Sequence, residues 1–257
     1  MVSRRPRCYS RQRSNLVTSF NLCSLECDYN EYSGLGRGKL KADDRPAGVS
    51  RREEYAEATR QAILQAARRL FSERGYFSTK VDEIASLARV APATVYAVSG
   101  GKQGLLRKLM ELSTTDPIVA ATLARIAKMK DPAAIIGLVA ESCRRMREDF
   151  GDIMRVMLAT APHDPCVSEY LATATARYRQ AFLPISQRLS DLAALRNGMT
   201  AAEAADLLWF YFGYAGLFTL HDDLGWPYER AERWLAAEAT RALLRDGLLA
   251  ELEPRQA

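Results

Sequence analysis

The sequence predicts an all-α protein: a three-helix helix-turn-helix head followed by a larger helical bundle, about nine helices in all. Three observations predict it. Apolar residues recur at spacings of three and four along most of the chain after residue 51, and no alternating strand pattern appears. Residues 81–106, VDEIASLARVAPATVYAVSGGKQGLL, hold two short helical stretches separated by a brief break, the dimensions of a helix-turn-helix. Later segments are punctuated by Asp-Pro, Asn-Gly and capping residues at helical intervals.

The elements follow in order. Thr59–Arg74 carries Ile63, Ala66, Ala67, Leu70 and Phe71 on one stripe, and Gly75 stands where a helix closes. Val81–Ala88 places Val81, Ile84, Ala85 and Ala88 on one face; Arg89-Val90-Ala91 interrupts the pattern. Pro92 suits the first turn of the next helix, Ala93–Val98, whose Val95 and Val98 share a face. Gly101–Ser113 reads as a connector helix and Pro117–Lys128 as a short one. Pro132–Phe150 has a broad apolar stripe (Ile135, Ile136, Leu138, Val139, Cys143, Met146). Gly151 punctuates before a second short helix, Ile153–Ala161. Pro165–Leu195 is long, with a kink expected at Pro184, and Asn197-Gly198 ends it. Thr200-x-x-Glu203 is a capping box opening Ala201–Leu220. Leu224–Pro227 is a turn, and Tyr228–Leu249 is the last helix.

Composition narrows the function classes. The 257 residues are 48% hydrophobic, enough for a substantial core. No apolar run approaches membrane-spanning length, and no continuous apolar stretch near the N-terminus reads as a signal peptide, so a cytoplasmic location is expected. Cysteines 8, 23, 27, 143 and 166 are scattered, and no partner pair follows Cys23-x3-Cys27 at ligand spacing; no metal and no cofactor are expected. Charge is uneven: net +5 over residues 1–51, +4 over 52–110 and −4 over 111–257. The basic part contains the helix-turn-helix, as a face for phosphates would require. Residues 1–50 lack a sustained period and read as a disordered basic extension. They are either an arm that adds phosphate attraction or an upstream stretch before a true start at Val49. A head over 51–101 and a bundle over 102–257 complete the expected organisation.

At this point the chain resembles the TetR family of bacterial transcriptional regulators. The matching pieces are Ile63-Leu64-x-Ala66-Ala67, Leu70-Phe71, Gly75-Tyr76, Thr79-x-Val81-x-x-Ile84-Ala85, Ala88-x-Val90, Thr94-Val95-Tyr96 and Lys102-x-x-Leu105-Leu106. They cover about residues 58–110. The resemblance implies a DNA-binding head and a diverging second bundle that binds an effector and dimerises. Three positions depart from the family pattern. Arg89 replaces a turn glycine, costing about 1 kcal/mol if the backbone there is left-handed. Lys80 replaces a threonine that would cap. Ser99 replaces a phenylalanine that packs beneath the fourth helix, and Gly100-Gly101 then makes a loose link expected.

The recognition helix would present Ala91, Pro92, Ala93, Thr94 and Tyr96 to DNA. That set is poor in hydrogen-bonding groups. Base reading would rest on shape and on methyl contacts with thymine, with Lys80 and Arg89 reaching in from outside the helix. By resemblance, Tyr96 and Lys102 would hold phosphates, and Thr79 would meet one at a helix N-terminus or else serve as a cap.

Residues 209–218 are apolar nearly all round, so one side needs a partner beyond the bundle. Trp209, Gly213, Gly216 and Leu217, with Trp234, Leu235, Ala242 and Leu243 of the last helix, are the candidate homodimer interface; the alternative is monomer core. Met146, Met154, Met157, His163, Tyr178, Phe182, Phe212 and His221 are candidates for a pocket holding a largely apolar small-molecule effector. The expected function is a ligand-responsive repressor of double-stranded DNA, released from a near-palindromic operator. The alternative is a dimeric interaction protein whose head has lost operator recognition. An enzyme is not expected. The two histidines, His163 and His221, sit beside aspartates at expected helix ends, without a phosphate loop or nucleophile elbow.

Overall fold

The computed structural model describes residues 50–248. Of the extension expected over 1–50, residues 1–49, with Cys8, Cys23 and Cys27, lie, like Leu249, outside the described residues. Among these, ten α-helices follow one another: α1 (Arg51–Arg74), α2 (Val81–Ala88), α3 (Pro92–Ser99), α4 (Lys102–Thr114), α5 (Pro117–Ile126), α6 (Pro132–Thr160), α7 (Pro165–Asp191), α8 (Ala201–Phe212), α9 (Tyr214–Phe218) and α10 (Tyr228–Leu243). A short 3-10 turn, Ala161–His163, precedes α7, and a π turn, Thr219–Asp223, follows α9. No strand occurs among the described residues; an isolated bridge joins Leu195 to Leu244.

The helix ends obey local chemistry. Asp116, Asp131 and Asp164 each stand before a proline and accept backbone N–H bonds from the first turns of α5, α6 and α7. Thr200 and Glu203 form the expected reciprocal cap of α8. α1 starts earlier than its apolar stripe indicates. Ser50 Oγ accepts from the Glu53 N–H at 3.3 Å, and the Glu53 carboxylate accepts from the Ser50 N–H at 2.8 Å. That Ser-x-x-Glu box is visible in the sequence.

Four expectations about elements need correction. The last helix, expected to Leu249, ends at Leu243, where Leu244 turns extended (φ −90°, ψ 149°) and bridges to Leu195. α6 runs unbroken through Gly151, because packing on both sides offsets about 1 kcal/mol of glycine's poor helix propensity. A Cβ at Gly151 would stand 2.9 Å from Arg155 Nη1 and 3.5 Å from the Phe218 ring, so the glycine serves close packing rather than a break. The helix expected over 201–220 instead breaks at Gly213, whose backbone turns extended (φ −64°, ψ −170°) and starts α9. α7 ends at Asp191, where Ala193 takes a left-handed φ of 50°.

Two apolar clusters form. One gathers Ile63, Ala67, Phe71, Ile84, Val95, Leu105 and Leu106 of α1–α4 and continues through Leu109 and Met110 into Ile153, Met157 and Val167 of α6 and α7. The head's interior therefore does not stop at residue 101. The other lies among α5–α10 around Ile135, Val139, Phe182, Leu208 and Phe212.

Candidate nucleic-acid interface and effector cavity

The turn between α2 and α3 has the expected geometry. Arg89 is left-handed (φ 56°, ψ 44°). The Val90 N–H donates to Ala85 O at 2.9 Å and the Arg89 N–H to Ser86 O at 3.1 Å, the paired bonds that close a helix at a left-handed residue. Arginine thus stands where glycine is cheaper, with its side chain exposed. The start of α2 is held by half a capping box: the Glu83 carboxylate accepts from the Lys80 N–H at 2.8 Å, while an ammonium cannot return the bond.

Of the residues expected to face DNA, Lys80, Arg89, Ala91, Pro92, Ala93 and Tyr96 are exposed, and Thr94 is half-buried. Thr79 is corrected. It is buried, and its hydroxyl donates inward to Gly75 O at 2.9 Å and lies 3.2 Å from Leu70 O. It ties the start of α2 to the end of α1 and has no free hydroxyl for a phosphate. Lys102 is also engaged. Its ammonium donates to Tyr76 O at 2.8 Å and lies 4.6 Å from the centre of the Tyr76 ring. Burial lowers its pKa from the usual lysine value. It locks the start of α4 onto the turn after α1.

The junction of α3 and α4 is tight, not loose. A Cβ at Gly104 would fall 1.7 Å from Ser99 O, so the backbone of Ser99 lies directly on α4. Ser99 Oγ donates to Val95 O at 2.8 Å. Lys108 Nζ donates to Val98 O, the end of α3. Close backbone contact at Gly104, rather than an aromatic wedge at residue 99, joins the two helices. Gly104 is plain in the sequence, but nothing in its spacing says which backbone it meets.

The second bundle holds a largely apolar cavity of about 130 Å³. Met146, Met154, Tyr178 and Phe182 line it as expected. Four other candidates do not and are corrected. Met157 is buried in the head's cluster and Phe212 in the bundle core. His163 is exposed, its ring 6.2 Å from Phe77. His221 stacks on Tyr228 at 3.8 Å and bonds Trp226 O through Nδ1 at 2.8 Å. Met110, Ser113 and Thr114 of α4 form part of the wall.

Sequence reasoning missed Arg147 and Tyr214, which also line the cavity. Arg147 is 2% exposed. Its Nη2 donates to Gly213 O at 3.1 Å, with Phe212 O at 3.4 Å and the Tyr178 hydroxyl at 3.3 Å. The Tyr178 hydroxyl spends its one hydrogen on Phe212 O at 2.6 Å. Burial pushes the Tyr178 phenol and the Cys143 thiol well above their ordinary pKa values, so both stay protonated. A signal existed. Ile136, Ala140, Cys143, Arg147, Gly151 and Met154 recur at threes and fours, which puts an arginine on the core face of α6.

Half of the expected dimer residues lie in the interior of this chain. Gly213, Leu217, Leu235 and Leu243 are buried. Trp209 packs edge-on to Tyr178 at 5.4 Å and Tyr214 at 5.6 Å. Gly216 and Ala242 are half-buried. Burial of the apolar ring of positions on α8 and α9 is met by α7 and α10 of the same chain, which the sequence could not separate from a partner. Trp234 remains 44% exposed, and Phe210, not singled out before, is 71% exposed on α8.

The comparisons with known proteins agree with this geometry. Residues 63–109 match the family model described as bacterial regulatory proteins, tetR family. A stretch of 64 residues is 39% identical to the HTH-type transcriptional regulator AcrR of Shigella flexneri; it is 25% of this chain and spans 30% of that regulator. NalD, the secondary repressor of the MexAB-OprM multidrug efflux pump in Pseudomonas aeruginosa, shares the fold. Its TM-score is 0.62 at 24% identity, over 75% of this chain and 99% of NalD. SmeT of Stenotrophomonas maltophilia in its triclosan complex also shares it, with a TM-score of 0.62 at 22% identity, over 74% of this chain and 94% of that one. The helix-turn-helix head is thus matched in sequence to the tetR family of bacterial regulatory proteins over residues 63–109, and the whole helical arrangement is matched in fold to NalD and SmeT.

Proposed function

We propose that the chain is a ligand-responsive transcriptional repressor. As a homodimer it binds a near-palindromic DNA operator, and it leaves that operator when a small, largely apolar molecule enters the cavity of the second bundle. One observation carries the reading: α4 belongs to both sites. Its first turns hold the recognition helix, through Gly104 against Ser99 and Lys108 on Val98 O, while its last turns, Met110, Ser113 and Thr114, wall the cavity. A ligand that displaces this wall displaces α3 with it. Such a ligand shifts DNA affinity only by its differential affinity for the two forms, typically about 1–3 kcal/mol.

The DNA-facing set for this reading is Lys80, Arg89, Ala91, Pro92, Ala93, Thr94 and Tyr96, with Thr79 and Lys102 positioning them. Lys80 and Arg89 supply phosphate attraction or base contacts from the rim, and the alanine methyls meet thymine methyls. NalD is named as a repressor and AcrR as an HTH-type transcriptional regulator, which supports the repressor reading. Among the described residues no helix is long and apolar enough to cross a membrane.

Selection from random duplex DNA tests the proposal, using the full chain and the chain starting at Val49 side by side. Enrichment of a near-palindrome with half-sites about one helical turn apart supports it. A folded dimer that enriches nothing sinks it and leaves an interaction protein with a silent head.

A further inference from the structure

The cavity contains a buried positive charge without a carboxylate. Arg147 forms no ion pair among the described residues, and neither Asp nor Glu lines the cavity. The second arginine of the lining, Arg177, is exposed at its edge. Every other arginine on α6 has an acid: Arg144 holds Glu148 and Glu232, Arg145 holds Glu141, and Arg155 holds Asp222.

What Arg147 does have is weaker. Two carbonyls at the C-terminal end of α8, Phe212 O and Gly213 O, accept from Nη2. Both lie where the helix breaks at Gly213, and Phe212 O also accepts from the Tyr178 hydroxyl. A helix C-terminus carries about half a negative charge, so it offsets only part of a full cation. The rings of Tyr178, Tyr214 and Phe218 lie 5.5, 5.4 and 5.4 Å from the guanidinium carbon. Met154 Sδ, 3.4 Å from Nη1, is a poor acceptor. Nε is buried with no hydrogen-bond partner at all. A buried arginine keeps its charge, and a buried charge without a full counter-charge is costly.

We propose that the effector is an organic anion: an apolar body that fills the methionine and aromatic part of the cavity, with one carboxylate or similar anionic group on Arg147. The inference rests on the cavity being the effector site. It adds the sign and position of the ligand's charge. The anion would take the unused Nε–H and compete with Phe212 O and Gly213 O for the guanidinium, which ties ligand binding to the α8–α9 break.

The test measures binding to the full chain by quenching of tryptophan fluorescence, Trp209 being one ring away from Tyr178. Three probes of one length are compared below their micelle concentrations: decanoate, 1-decanol and decyltrimethylammonium. Decanoate should bind at least about tenfold more tightly than decanol, since a charged acceptor on the guanidinium replaces a neutral one, and the cation most weakly. Arg147→Met should bind decanoate and decanol alike, and Arg147→Lys should keep part of the preference. Parent protein that binds decanol or the cation as well as decanoate overturns the proposal, even if Arg147→Met fails to fold. So does a folded Arg147→Met that keeps the preference, and so does binding of no probe. Decanoate that binds Arg147 without loosening DNA leaves this inference intact and removes the release step of the proposed function.

Discussion

Arg89 stands in a left-handed turn where glycine would cost less, and the proposed function gives it a DNA contact in exchange. Its left-handed backbone closes α2, a role that glycine fills at lower cost. Its exposed guanidinium stands beside the start of the recognition helix. Arg89→Gly is expected to stabilise the protein by up to about 1 kcal/mol in urea denaturation. In the same variant DNA affinity should fall, and the slope of log affinity against log salt should shrink by about one unit if Arg89 meets a phosphate. A variant that gains stability with no change in salt slope would leave Arg89 a turn residue only. Thr79 illustrates the opposite case. Its hydroxyl looks available in the sequence, yet the fold turns it inward onto two carbonyls of the α1 turn.

Among elements, α1 and α6 are clasped across the head and the second bundle. Arg68 Nε donates to Asp152 at 2.7 Å, Arg68 Nη2 to the other carboxylate oxygen at 2.8 Å and to Asp149 O, and Ser72 Oγ lies 3.1 Å from the same aspartate. Burial pushes the Asp152 carboxyl up, but the hydrogen bonds from Arg68, the Ile153 backbone and Ser72 outweigh it and hold the pKa below the usual aspartate value. A depressed folded pKa contributes stability that is full above the unfolded value, about 3.9, and disappears as pH falls through the folded one. Both side chains remain about one-third exposed, so solvent screening holds the clasp to about 1 kcal/mol or less. Asp152→Asn should therefore be less stable than the parent at pH 7 by that amount, and the gap should shrink once pH falls below about 4. A gap independent of pH would assign the effect to packing. The same variant should alter how strongly a bound effector changes DNA affinity, because α6 walls the cavity and α1 carries the head.

At the scale of the whole molecule, the dimer of the proposed function has a candidate surface in the exposed apolar groups on α8 and α10. Phe210 on α8 and Trp234 on α10 remain open to solvent, and these two helices pack against each other. Large exposed aromatics are enriched at the centres of protein interfaces. Phe210→Glu is expected to convert a dimer to a monomer at micromolar concentration by sedimentation, with the helical circular dichroism unchanged. Palindrome binding should fall by more than tenfold, since the two heads would no longer be linked. An unchanged dimer would move the interface away from α8.

The helices, their caps and the helix-turn-helix were legible because each rests on short-range chemistry: three-and-four spacing, Asp-Pro starts, the Thr200–Glu203 box and the glycine at position 75. The exposure of Lys80, Arg89, Ala91, Pro92, Ala93 and Tyr96 was legible for the same reason, whereas Thr79, also beside a turn, is buried by contacts with α1 that spacing does not show. The cavity and the interface were legible only as lists of apolar residues. Met157, Phe212, Leu217 and Leu235 have the composition of a pocket or a partner surface and lie in the core, because which neighbour covers an apolar face is decided by contacts far apart in the chain. Only the tertiary structure brought Arg147 of α6 to the carbonyls at the end of α8, 65 and 66 residues away in sequence. A charge's partner, unlike a helix's cap, is set by where distant elements meet.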